Sequence, residues 1–180
     1  MDAIEALKTR RSCRSYKPQP IKDEELQTII DCGLNAPNGM NTQLAKIIVV
    51  QDIDKIKKLS AMNAKIMGKE NVDPFYGAPV CCMIVVPEDP GYGNGAESFK
   101  LNPVKDGSLI IGAMQTAAWA LGFGSCWINR CKEMLELPEG KEIMQQLGLE
   151  NYVGVGCCIL GYPDNNPSQK KIKEGRIIKY

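Results

Sequence analysis

The chain has 180 residues and a mass of 19.8 kDa, with 44% hydrophobic and 24% charged side chains. That balance suits one compact domain over residues 1–180, burying roughly 70% of its unfolded-chain surface, and excludes a peptide-sized disulfide scaffold. A formal charge of +1, from 22 basic and 21 acidic residues, argues against wholesale disorder and against a uniformly cationic nucleic-acid binder. Histidine is absent, so Ser-His, Cys-His and His-based metal chemistry are excluded.

The chain order begins with Asp2 and Glu5, a capping arrangement for a first helix whose Ile4 and Leu7 form an apolar side running toward Thr9. After Pro18 and Pro20, Asp23 is placed to cap a second helix carrying Leu26, Ile29, Ile30 and Leu34 at helical spacing. Asn38-Gly39 makes a turn, residues 45–50 read as a buried strand, and a helix from about Asp54 carries Ile56, Leu59, Ile66 and Met67. Residues 68–76 read as exposed loop and 78–86 as a second buried strand. The connection over 87–102, with Gly91, Gly93 and Gly95, has no clear period.

Residues 107–129 include no charge, but Ser108, Gln115, Thr116, Ser125 and several glycines interrupt the stretch, which excludes a transmembrane helix. Asp106 is placed to cap a helix that is apolar on all sides, as expected in a core or at a subunit interface. A glycine-bounded strand follows over 122–128, then one helix over 132–147 broken at Pro138, and a last apolar strand over 152–160. The tail from Pro163 is polar and expected to be extended. Four buried strands alternating with helices, with no internal repeat, describe an α/β or α+β layered domain.

Charge is unevenly placed. Residues 1–17 and 169–180 together hold ten basic and three acidic side chains, whereas the 151 residues between them hold 12 basic and 18 acidic. Two cationic ends therefore flank a mildly acidic body, either as solvated tails or as the two sides of an anion site. The eight cysteines, in a chain whose start at Met1-Asp2-Ala3 does not read as a secretory leader, are expected to be reduced thiols in the cytoplasm.

Three local features carry chemistry. Arg10-Arg11-Ser12-Cys13-Arg14 sets three guanidiniums and a hydroxyl within five positions, which is phosphate-binding chemistry because guanidinium forks match phosphate oxygens. Asn38, Asn41 and Gln43 place amides, which both donate and accept, in a turn before a buried strand. They suit a heterocycle of alternating carbonyls and ring nitrogens, although Asn38 is equally explained as an Asx-turn residue. Gly122-Phe123-Gly124-Ser125-Cys126-Trp127-Ile128 lets backbone approach a flat ligand, or simply turns tightly into a strand.

In their order and spacing, these pieces together with Tyr16, Pro20-Ile21, Ala36-Pro37, Met40, Thr42 and Gly161-Tyr162-Pro163 resemble the FMN-dependent nitroreductase family over almost the whole chain. The resemblance implies an α+β nitroreductase-like fold: a central mixed, mainly antiparallel sheet flanked by helices, and a C-terminal arm extending to the partner subunit of a homodimer. It implies FMN at the subunit interface. Arg10, Arg11, Ser12 and Arg14 would hold its phosphate and ribityl end, with a tail residue such as Lys171, Lys173 or Arg176 completing the phosphate site. Pro37, Asn38, Gly39, Asn41 and Gln43 would line the partner side of the isoalloxazine, and Gly124, Ser125 and the Trp127, Ile128 and Asn129 backbone the other. Asn129 stands where many relatives carry a glutamate near the flavin N5, so it is a tuning position. No metal and no protein catalytic group is implied, because the flavin carries the chemistry.

The mechanism so implied is ping-pong transfer: NAD(P)H reduces FMN at N5, leaves, and a nitroaromatic, quinone or similar electrophile takes its place. Specialised reactions of the same fold, namely dehalogenation, azoline oxidation and flavin breakdown, are the alternatives within it. Thiol redox or metal chemistry is disfavoured because Cys81-Cys82 and Cys157-Cys158 lie in apolar runs and no CxxC exists. A nucleic-acid or flavin-binding module is disfavoured because no aromatic residue interleaves Lys170, Lys171 and Lys173. Met114, Met144, Trp119 and Trp127 are expected to pack rather than bind.

Overall fold

The computed structural model describes residues 1–94 and 96–180, without the Ser98 side chain; Gly95, one of the three glycines of the long connection, lies outside the described residues. Four strands, β1 (Lys46–Val50), β2 (Val80–Pro87), β3 (Gly124–Ile128) and β4 (Tyr152–Gly161), form one sheet in the order β1-β2-β4-β3. Every pairing between them is antiparallel. Among the described residues, parallel character is limited to an isolated bridge between Ser12 and Ser125.

The two central strands are the continuous apolar runs, as expected of strands covered on both faces. Along β2 the side chains alternate in period two: Val80, Cys82 and Ile84 pack with Ile29, Ile111 and Met114, whereas Cys81, Met83 and Val85 pack with Leu59, Phe75 and Met134. One face is therefore covered by α2 (Asp23–Leu34) and α5 (Asn102–Ala120), the other by α3 (Ile53–Ile66), α6 (Cys131–Glu136) and α7 (Pro138–Gln146). Each large apolar side chain so buried contributes about 1.5–3 kcal/mol. The short helices α1 (Ala3–Thr9) and α4 (Glu97–Lys100) lie outside this sandwich.

Several expectations are corrected. β1 is an edge strand rather than a buried one: Lys46 and Val49 are exposed, because β1 has a neighbour on one side only. Ile4 and Leu7 of α1 face away from the chain's own core, and only Ala6 of that helix is buried. Residues 68–76 are not wholly exposed, since Phe75 is fully buried. The Asp73 carboxylate folds the segment back by accepting from the Ser60 hydroxyl and from the Phe75 and Gly77 N–H groups. α5 begins at Asn102 with Pro103 in its first turn, so Asp106 lies within the helix and does not cap it. The N-cap of α2 is Lys22, with Asp23 already inside the helix. The expected break at Pro138 separates α6 and α7 at the extended residue Leu137.

Candidate active site

The geometry of the arginine motif follows from the sheet's free edge. After α1, the Cys13 N–H donates to the Ser125 carbonyl at 2.8 Å, so residues 12–13 extend alongside β3. The chain then meets its own tail: the Lys17 N–H donates to the Tyr162 carbonyl at 2.9 Å and the Asp164 N–H to the Ser15 carbonyl at 3.0 Å. Cys13 and Tyr16 point inward as buried anchors, the Tyr16 hydroxyl donating to the Cys13 carbonyl at 2.9 Å. Burial holds the Tyr16 phenol far above its ordinary pKa, so it remains a neutral donor.

With those anchors inside, Arg10, Arg11 and Arg14 line a concavity of about 470 Å³. Arg10, Arg11, Ser12 and Arg14 form one wall; Asn165, Ser168, Gln169 and Lys170 of the tail contribute to the other. Arg11 Nη1 donates to the Lys8 and Arg10 carbonyls at 3.3 and 2.7 Å, closing the end of α1. Arg11 Nε and Arg10 Nη1 are buried and have no hydrogen-bond partner, and the same holds for the hydroxyl of Ser125 on the adjoining strand. An unpaired buried donor costs about 1–3 kcal/mol, more when charged. The donor-bearing residues that line the concavity, Arg10, Arg11, Ser12, Arg14 and Lys170, suit an anion carrying several acceptor oxygens. Burial pushes the Cys126 thiol up, against the pull of Arg14 and Arg10, so a neutral thiol sits beside the cationic wall.

Gly124 and Ser125 are thus brought against the Arg10–Arg14 segment, and no larger residue fits at Gly124: a Cβ there would lie 2.7 Å from both Cβ and Sγ of Cys13. Trp127 packs against the sheet face covered by α5, while Ile128 is buried on the opposite face. The Asn129 side chain is exposed and its carbonyl accepts from Asn63 Nδ2 at 2.9 Å. Lys171, Lys173 and Arg176 are exposed on the tail beyond the residues that line the concavity; Lys170 is the tail cation that lines it.

The amide loop lies elsewhere. Its Gly39 N–H donates to the Asp106 carboxylate at 3.0 Å, near the start of α5, whereas the arginine motif is tied to the end of α5 by the Trp119 indole, which donates to the Thr9 hydroxyl at 2.9 Å. At 1.5 Å per helical residue those anchors are about 20 Å apart. One copy of the chain therefore does not bring Pro37, Asn38, Gly39, Asn41 and Gln43 together with Arg10–Arg14.

Within the loop, Gln43 Nε2 donates to Asn41 Oδ1 at 3.0 Å and the Gln43 N–H to Asn38 Oδ1 at 3.1 Å. The Asn38 side chain thus closes the loop across five residues, not the two-residue span of an Asx-turn. Pro37 is exposed, and Met40, Asn41 and Gln43 all have positive φ, near 50°.

Lys170 lines the concavity, Asn63 reaches Asn129 and Asp106 holds the separate amide loop, none of them singled out for such a place by sequence. Asn63 is fully buried on α3, and its Oδ1 has no partner while its amide reaches Asn129. The available signal was a polar residue in the apolar register Ile56, Leu59, Asn63, Ile66. Seven of the eight cysteines are buried, Cys32 alone being exposed. Among the described residues no group of three potential ligands is placed to hold a metal, and no helix is long and apolar enough to cross a membrane.

Comparison with known proteins gives a match to the Nitroreductase family over residues 7–162. The chain is 28% identical over 183 aligned residues to an FMN reductase (NAD(P)H) of Bacillus subtilis, covering 94% of this chain and 69% of that one. It is 26% identical over 184 to an NADPH-flavin oxidoreductase of Vibrio harveyi, covering 98% and 72%. Among solved structures, a nitroreductase with bound FMN from Bacteroides fragilis superposes with a TM-score of 0.85 at 26% identity, over 100% of this chain and 99% of the other. A nitroreductase with bound FMN from Desulfitobacterium hafniense shares the fold at a TM-score of 0.84 and 21% identity, again over 100% and 99%.

Proposed function

This chain belongs to the nitroreductase family, and we propose that it is an FMN-dependent NAD(P)H oxidoreductase, acting as a homodimer on nitroaromatic, quinone or similar electrophilic acceptors. The observation that carries this reading is the concavity that Arg10, Arg11, Ser12 and Arg14 line together with Lys170 of the tail. A phosphate monoester fits that donor set: it is dianionic near neutral pH and offers three oxygens. The names of the flavin reductase relatives and the FMN carried by the Bacteroides fragilis structure support the same cofactor.

When bound, FMN supplies the two-electron chemistry, accepting hydride from NAD(P)H and passing it to the acceptor in alternate turns. The chain's own residues bind and orient. Arg10, Arg11, Ser12 and Arg14, with Lys170 from the tail, hold the phosphate end. Gly124, Ser125 and the backbone from Trp127 to Asn129 supply the surface against which the ring system lies, and Asn63 fixes the Asn129 carbonyl there. The loop carrying Pro37, Asn38, Gly39, Asn41 and Gln43 comes from the second copy, which answers its separation of about 20 Å along α5 from the arginines of its own chain. The cationic wall favours the negative charge that two-electron uptake adds.

Replacing both Arg10 and Arg14 by alanine removes at least two charge-assisted contacts of about 1.5–3 kcal/mol each, so FMN affinity is expected to fall by at least about a hundredfold. The protein would then purify without flavin. Stoichiometric FMN retained by the double variant contradicts the phosphate assignment.

A further inference from the structure

Asp106 is the fifth residue of α5, is only 8% exposed, and makes no ion pair among the described residues. Burying a carboxylate without a cationic partner is costly. Among the described residues its carboxylate accepts a single hydrogen bond, from the Gly39 N–H. That bond is the one by which the 38–43 loop is tied to the rest of the described fold; the other hydrogen bonds of these residues stay within the loop.

The loop needs such a tie. Met40, Asn41 and Gln43 occupy left-handed backbone conformations at φ 55°, 54° and 50°, which non-glycine residues adopt at a cost, and Met40 buries almost nothing in return, being 74% exposed. An unanchored loop of this sequence relaxes to other conformations, and the Asn41 and Gln43 amides lose their fixed spacing.

We propose that Asp106 is a positioning residue for the flavin ring: by accepting from the Gly39 N–H it holds the 38–43 loop in the strained conformation that presents the Asn41 and Gln43 amides. This rests on the FMN reading above. The effect reaches the ring end of the cofactor and leaves the phosphate end, on Arg10–Arg14, untouched.

The test compares wild type, Asp106→Asn, which keeps an acceptor oxygen, and Asp106→Leu, which does not, each titrated as the full-length protein with FMN and with riboflavin. Asp106→Leu is expected to bind both flavins about tenfold or more weakly, with the FMN-to-riboflavin affinity ratio unchanged and the visible spectrum of the bound flavin altered. Asp106→Asn is expected to restore affinity and spectrum. A merely structural role would lower the melting temperature without altering the spectrum of whatever flavin remains bound.

Should the leucine variant not fold, Asp106→Ala, which admits water in place of the carboxylate, reads the same comparison. Wild type that binds neither flavin overturns the FMN reading. Wild type that binds FMN, alongside leucine or alanine variants with unchanged affinity and spectrum, overturns the role of Asp106 alone.

Discussion

The proposed phosphate end of the site depends on a close approach between two residues from distant parts of the chain. Gly124 and Cys13 meet so tightly that an added Cβ would stand 2.7 Å from the Cys13 side chain, and the Cys13 N–H bond to Ser125 requires this contact. Gly124→Ala is therefore expected to lower stability by about 1–3 kcal/mol, read as a shift in the denaturation midpoint, and to weaken FMN binding by pushing the arginine segment off β3. An alanine variant with unchanged midpoint and affinity would show that residues 12–13 are not held by that edge. Residue types alone marked the arginines and amides, because guanidinium and amide chemistry is visible without coordinates. What they could not mark was the tail cation: Lys170, Lys171 and Lys173 are equivalent in sequence, and only the bonds joining Ser15 to Asp164 and Lys17 to Tyr162 turn Lys170 into the concavity.

At the scale of elements, β2 and β4 were legible as buried strands because both are unbroken apolar runs. The exposure of β1 was not, since Lys46-Ile47-Ile48-Val49-Val50 reads the same at an edge as at the centre and strand order is set by tertiary pairing. The central strands bury paired thiols, Cys82 lying opposite Cys158. Burial raises both, Cys158 to about 12. A thiol raised from its ordinary value near 9.0 to about 12 keeps its proton in the folded state where the unfolded chain loses it, so its stabilising contribution is complete below pH 9 and is lost progressively up to about 12. Denaturation midpoints measured across that window are expected to fall. In the native state at pH 8 a thiol reagent is expected to titrate one cysteine, Cys32, and all eight after unfolding. Several fast-reacting thiols would contradict the buried arrangement.

On the scale of the whole molecule, part of the apolar surface of α1 and of the helix expected in a core or at a subunit interface lies on the outside. Ile4 and Leu7 of α1 and Val104, Leu109 and Leu121 along α5 are all exposed, on the elements that also carry the two separated halves of the site. Periodicity identifies an apolar face but not whether its partner is the same chain or another. The proposed homodimer would cover this face and join the halves in one step. Leu109→Glu is accordingly expected to convert a dimer into a monomer by light scattering and to lower FMN affinity in parallel; a wild-type monomer that binds FMN stoichiometrically would contradict the dimer.

The central claim, an FMN-dependent NAD(P)H oxidoreductase, is tested most directly by adding NADH and then NADPH anaerobically to the FMN-supplemented protein and following the visible flavin band. Bleaching by at least one nucleotide, followed by recovery when a nitroaromatic or quinone is offered, is the predicted result. Flavin that binds but is bleached by neither nucleotide contradicts the donor, and a protein that does not bind FMN contradicts the claim itself.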